Sequence, residues 1–272
     1  MAGDGTLGTS WGLRAIDMEI WLALLGAGIL CGFLNAAASS GSAISLPLLL
    51  ALGLPPAVAN GTNRLPVLVG LATAFWRFQR AGAIPWRFTL KLIPVFVLSA
   101  LAGASLAAVL PMDHIRLLVH IALLLALALV LLRPHRLLTA DVSAEANMVT
   151  PKLQLLMAGV GFWTGLIVLD AATYLLVGLV LVGGVALQQA NAIKAVLIGL
   201  GSLGSLAVFA RGGELDWGAA LPLMLGSALG GWLGAALALG PQAKQWIYRL
   251  LILALSTEVV NMLERFLSQA RA

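Results

Sequence analysis

Charge is scarce in this chain of 272 residues: 10% are Asp, Glu, Lys or Arg, against 61% hydrophobic. With a mean hydropathy of +1.01, the composition excludes a soluble domain and points to membrane spans. Cysteine is nearly missing. Cys31 alone rules out an intrachain disulfide and cannot by itself build a zinc or iron–sulfur site; it reads as a small packing residue in a helix. His114, His120 and His135 lack metal-ligand spacing, so neither metal nor cofactor is expected. Within the apolar runs near mid-membrane the carboxylates reduce to Asp170. A membrane aspartyl protease needs two within reach of each other, so an enzyme is not expected. The first apolar stretch follows Asp17 and Glu19 and lacks a basic segment and a small-residue cleavage site. It therefore reads as mature structure and not as a signal peptide.

What is present is a succession of apolar runs, read as helices at 20–38, 43–53, 57–78, 89–110, 114–132, 153–169, 172–183, 187–209, 217–239 and 244–266. Turn chemistry separates them, from SSGS and GLPP to RGGELDW and ALGPQAK. The expected class is an all-α polytopic membrane protein of about ten helices. A first transmembrane repeat covers 20–132, a cytoplasmic linker 133–152, and a second repeat 153–268. The net charge of +5 sits in loops and follows the positive-inside rule, so the lipid bilayer and not nucleic acid is the expected partner.

The halves correspond. At an offset of 130 residues Gly53 meets Gly183, Arg64 meets Lys194 and Ser40 meets Asp170; one residue later in register Trp86 meets Trp217. The 77–91 loop carries Arg77, Arg80, Arg87 and Lys91, and the 133–152 loop carries Arg133, Arg136 and Lys152 against Asp141 and Glu145. Both read as cytoplasmic, whereas RGGELDW, with Arg211 against Glu214 and Asp216, reads as external. The helices at 43–53 and 172–183 are too short for about 30 Å of hydrocarbon. Each reads as the returning arm of a broken-helix hairpin followed by three transmembrane helices. The two repeats then have inverted topology, with both termini outside the bacterial inner membrane.

Arg64 and Lys194 each lie roughly 10 Å into an apolar helix. A charge at that depth costs about 2.5–3.5 kcal/mol on insertion scales. Snorkelling is the alternative to a cavity-lining role. Polar neighbours precede both cations: Asn60, Thr62 and Asn63 on one helix, Gln188, Gln189 and Asn191 on the other. At Ser39, Ser40, Gly41 and Ser42 the chain breaks and opens a short helix whose N–H groups favour an anion. Asp170 and Thr173 mark the equivalent break, and Asn35 lies one turn before the first. The candidate substrate site is therefore Asn35, Ser39, Ser40, Gly41, Ser42, Thr62, Asn63, Arg64, Thr173, Asn191 and Lys194. Asp170 could carry a coupling proton, pair with a cation, or cap its helix. Oligomeric state is left open, with a homodimer among the options.

The stretch GFLNAAASSGSAISLPLLLALGLPPAVANGTNR, followed by RAGAIPW, resembles the first repeat of the TauE/SafE sulfite exporter family, of the 4-toluene sulfonate uptake permease-like transporters. The similarity extends more weakly through the second repeat. It implies a secondary transporter that exports a small sulfur-containing anion, sulfite or an organosulfonate, coupled to an ion gradient. A passive anion channel, or a transporter of another carboxylate or oxyanion, is the alternative. Where the family's break is often glycine-rich, this chain has Ser39–Ser40–Gly41–Ser42 and Leu169–Asp170–Ala171–Ala172–Thr173.

Overall fold

The computed structural model describes residues 17–38, 41–107, 149–167, 171–213, 215–250, 252–253, 256 and 260. The expected helix at 114–132, most of the linker, and Ser39, Ser40 and Asp170 lie outside these residues. Among the described residues all regular structure is helical. The order is α1 (Met18–Ala37), α2 (Ser42–Ala51), α3 (Pro56–Arg80), α4 (Trp86–Ala107), α5 (Pro151–Leu166), α6 (Ala171–Leu181), α7 (Leu187–Arg211) and α8 (Trp217–Leu239). A further helix begins at 243.

Local chemistry moves several boundaries from those expected. The Pro85 carbonyl accepts from the Phe88 and Thr89 N–H groups, each at 3.0 Å, so α4 starts at Trp86 and not at 89. α5 ends at Leu166 and not at 169, because Ile167 turns extended (φ −149°, ψ 126°). α3 runs on through Arg80, so Arg77 and Arg80 are helical and not loop residues. α2 and α6, at 10 and 11 residues, are roughly 15–17 Å long, half of what a crossing needs. α1, α4, α7 and α8 are long and apolar enough to span a bilayer. α3 matches α7 at 25 residues but carries a polar start.

The correspondence between halves is real but not uniform. Through the break it runs at 129 residues (Ala37 with Leu166, Ser42 with Ala171) and from the third helix on at 131 (Pro56 with Leu187, Arg80 with Arg211, Trp86 with Trp217). One extra residue in α6 and one in the turn after it make the change. Left-handed glycines confirm the second register: Gly53 (φ 84°) with Gly184 (φ 63°), and Gly82 (φ 63°) with Gly213 (φ 70°). The partner of Gly53 is thus Gly184, not Gly183. The single offset of 130 lies midway between two registers.

Close backbone contact decides how the helices pair. A Cβ on Gly28 would strike the Leu223 backbone, one on Gly32 the Ser227 backbone, and one on Gly234 the Phe33 backbone, so α1 and α8 run side by side in the same direction. On the other side Gly161 meets Phe96, and Gly165 meets Ala100 and Ala104, so α4 and α5 are also parallel. α3 and α7 pack in the middle with opposite directions: Arg64, near the start of α3, meets Phe209 near the end of α7. Each half's first helix therefore packs on the other half's fourth. In membranes such contacts rest on small residues that let backbones approach.

Two glycines of α5 test this packing. Leucine at Gly165 would collide with the Ala100 backbone, whereas nothing lies within 4 Å of the Cβ position at Gly159. Overpacking costs about 1–3 kcal/mol. Gly165→Leu is expected to lower the melting temperature in detergent and the monodisperse yield, with Gly159→Leu close to wild type; equal behaviour of the two would refute the α4–α5 contact.

Candidate functional site

A helix that stops inside a membrane protein leaves its last carbonyls without intrahelical partners, and hydrocarbon offers none. Here the opposite half supplies them. Asn191 Nδ2 donates to the Ala36 carbonyl at 2.7 Å and the Ala37 carbonyl at 3.4 Å, and Lys194 Nζ donates to the Ala38 carbonyl at 2.5 Å. Across the molecule Asn60 Nδ2 donates to the Leu166 carbonyl at 3.3 Å, and Arg64 donates through Nη1 to Thr164 at 2.9 Å and through Nη2 to Gly165 at 2.6 Å. α7 thus holds the end of α1, and α3 holds the end of α5. A cation there also meets the negative end of the helix dipole.

Arg64 and Lys194 are both 0% exposed, so neither stem returns its charge to an interface, and snorkelling is excluded. Neither pairs with a carboxylate among the described residues. The Arg64 guanidinium carbon lies 4.6 Å from the Phe209 ring centroid, a weak electrostatic support. In the 131 register Asn60 and Asn191 are true counterparts, but Lys194 occupies the place of Asn63, and Arg64 comes one residue later. The two cations reach opposite breaks from adjacent, not identical, positions.

The first break is knitted by a polar network. The Gly41 N–H donates to Asn35 Oδ1 at 3.0 Å, and Asn35 Nδ2 reaches the Cys31 sulfur at 3.5 Å. Ser45 Oγ lies 2.5 Å from Asn63 Oδ1 and 3.3 Å from the Cys31 sulfur. Asn35 therefore holds the turn, and Cys31 is an acceptor as well as a packing residue. Gly41 is small because a Cβ would strike the Cys31 carbonyl and the Asn35 side chain. Ser42 is buried in the first turn of α2, and Thr173 in the first turn of α6. Thr62 faces elsewhere: its hydroxyl oxygen accepts the Asp216 N–H at 2.9 Å, tying the loop before α8 to α3.

Several buried polar atoms of the residues that hold the two breaks have no hydrogen-bond partner: the donors Asn63 Nδ2 and Arg64 Nε and the acceptors Asn60 Oδ1 and Asn191 Oδ1. Leaving such a group unpaired costs about 1–3 kcal/mol, more for a charged one, so each calls for an occupant, water or ligand. Ser45, Thr164 and Phe209 were not among the residues expected at the site. Ser45 lies one turn past Gly41 and Thr164 one turn before the second break, so nearness to the breaks was the signal that could have found these two; Phe209, near the end of α7, carried none. Tyr174 packs edge-on against Trp163, with centroids 6.0 Å apart.

Comparison with known proteins agrees with this architecture. The profile of the family described as "Sulfite exporter TauE/SafE" matches residues 24–260. A "Probable membrane transporter protein" of Haemophilus influenzae is 30% identical over 221 residues, 81% of this chain and 86% of its own length. "Probable membrane transporter protein ORF9" of a Sinorhizobium species is 29% identical over 80% of this chain and 83% of its own. The YfcA protein of Escherichia coli K12, also described as a probable membrane transporter, is 26% identical over 79% of this chain and 80% of its own. No solved structure matches.

The crossed bonds predict a stability effect. Lys194→Met keeps the length but leaves the Ala38 carbonyl unpaired, a loss of about 1–3 kcal/mol. Arg64→Lys keeps the charge but puts one shorter-reaching nitrogen in place of the two that meet Thr164 and Gly165, so its loss should be smaller. Thermal unfolding in detergent is the measurement, and wild-type melting of Lys194→Met would show that the carbonyl does not depend on this donor.

Proposed function

The chain belongs to the sulfite exporter TauE/SafE family, and from that premise we propose that this membrane transporter exports a small sulfur-containing anion, sulfite or an organosulfonate, by alternating access around a site near the bilayer midplane. One observation carries the reading: two wholly buried cations have no carboxylate partners among the described residues, and Arg64 Nε and the adjacent Asn63 Nδ2 are unpaired donors. Carbonyl dipoles offset only part of the cost of two such charges. A bound oxyanion supplies the rest, accepting from Asn63 Nδ2 and Arg64 Nε while Lys194 contributes charge from the other half. Ser39, Ser40, Gly41 and Ser42 would add the N-terminal N–H groups of α2, and Thr173 those of α6.

Alternating access fits repeats of inverted topology, and the helix directions support them. Hairpin parity makes α4 run opposite to α1. A second half in the same orientation would make α8 oppose α1 as well, yet α1 and α8 are parallel, as are α4 and α5. In this reading the basic loops face the cytoplasm of a bacterial inner membrane and both termini lie outside.

Asn63→Asp is a direct test of the site. It keeps the oxygen that meets Ser45, removes the free donor and adds negative charge, so anion affinity should fall at least roughly tenfold. Flux of sulfite, sulfoacetate, isethionate, thiosulfate and sulfate in proteoliposomes is the assay. Saturable counterflow of one of them that Asn63→Asp weakens is the expected result. Conductance without counterflow would indicate a channel, and unaltered flux in Asn63→Asp would remove the site.

Coupling is tested at Asp170. Asn at this position retains capping capacity but cannot exchange a proton near neutral pH. Asp170→Asn should abolish pH-driven uphill transport and preserve anion-for-anion exchange; intact pH-driven transport would leave Asp170 as a cap or a partner of a cation.

A further inference from the structure

A second charged feature lies at the basic end of α3, well away from the helix breaks. Val69, Ala72, Thr73 and Trp76 share one face of α3 and, with Trp232 of α8, line an open trough of about 440 Å³. Its floor is apolar, because the Thr73 hydroxyl is turned to its own helix and bonds the Gly70 carbonyl at 2.9 Å. The trough is also preformed: a Cβ on Gly231 would strike the Gly70 carbonyl, so the two helices cannot close on it. Trp76 and Trp232 are about half exposed, at 49% and 45%; Trp76 is one turn from the end of α3, where an aromatic belt is ordinary, but Trp232 lies two turns inside α8.

Both indoles carry a cation. The Arg80 guanidinium carbon lies 3.8 Å from the Trp76 ring centroid, and that of Arg77 lies 4.2 Å from the Trp232 ring centroid. Rings hold these side chains in place without neutralising them. Arg77 Nη1 is moreover buried and has no hydrogen-bond partner. An apolar trough that ends at two oriented guanidinium groups, one with an unpaired donor, matches a ligand with an aliphatic chain and an anionic head. Two other occupants fit less well. A free oxyanion would leave the trough empty. A second copy related by a two-fold axis would set Arg77 and Arg80 against like charges.

We propose that this trough binds one anionic phospholipid, an acyl chain lying along α3 between Trp76 and Trp232 and the phosphodiester accepting from Arg77 and Arg80. Basic pockets between membrane helices recognise lipid head groups in this way, and guanidinium suits phosphate because its donors are fixed in a fork. The site is independent of the transported anion. It sits on the same two helices, α3 and α8, that Ser227 joins by donating to the Pro66 carbonyl at 2.6 Å.

Native mass spectrometry of the full-length protein in neutral detergent tests this, with phosphatidylglycerol, cardiolipin and phosphatidylcholine as probes. One retained phosphatidylglycerol or cardiolipin per chain is expected, with phosphatidylcholine retained at least tenfold less. Arg77→Gln/Arg80→Gln should lose the adduct. Ala72→Trp, which keeps both cations but fills the trough from an exposed position, should lose it too, and millimolar inorganic phosphate should not displace it. Equal retention of phosphatidylcholine, or an undiminished adduct in both variants, would overturn the proposal. So would a dimer that excludes lipid and that Ala72→Trp dissociates.

Discussion

Six backbone carbonyls, at Ala36, Ala37, Ala38, Thr164, Gly165 and Leu166, set the terms for the rest of this molecule. Two helices end in the protein interior with carbonyls left over, so each needs donors long enough to reach across a helix interface. Asn and Arg on α3, and Asn and Lys on α7, meet that need. Two cations are therefore buried, with no acid paired to either among the described residues.

Much of this was legible in the sequence. Among the described residues, long apolar runs placed the helix ends to within about three residues. Gly53 and Gly82 marked turns that need a left-handed residue, and the recurrence of Arg64 and Lys194 revealed two halves. What could not be read was who would pair with whom. The acceptors are carbonyls, which every residue carries, so Thr164 and Gly165 leave no signature as partners of Arg64. The 129-to-131 shift in register was hidden for a related reason. Small apolar residues around α6 are interchangeable in sequence, and only the turn glycines and the Gly32 and Gly161 contacts distinguish one alignment from the next.

The halves are not equivalent in detail. Thr62 accepts a bond from the Asp216 backbone, whereas its counterpart in the 131 register is Ile193, which cannot. Asn35 and Gly41 make a bonded turn at the first break, where the second half has Thr164 and Asp170 at the matching places. The loop before α8 is thus fastened to α3 with no matching bond at the corresponding place in the other half. The exposed indoles of Trp76 and Trp232 belong to the outer face of the same pair of helices.

The crossed carbonyl bonds also bear on how the chain is made. Lys194 comes 156 residues after the Ala38 carbonyl it serves. At about 5–20 residues per second, synthesis of that interval takes roughly 8–30 s. Throughout it the end of α1 has been delivered to the membrane without its final partners, and the same wait applies to no other helix end described above, since Asn60 and Arg64 already exist when α5 emerges. The first half is born incomplete and the second arrives to a prepared neighbour.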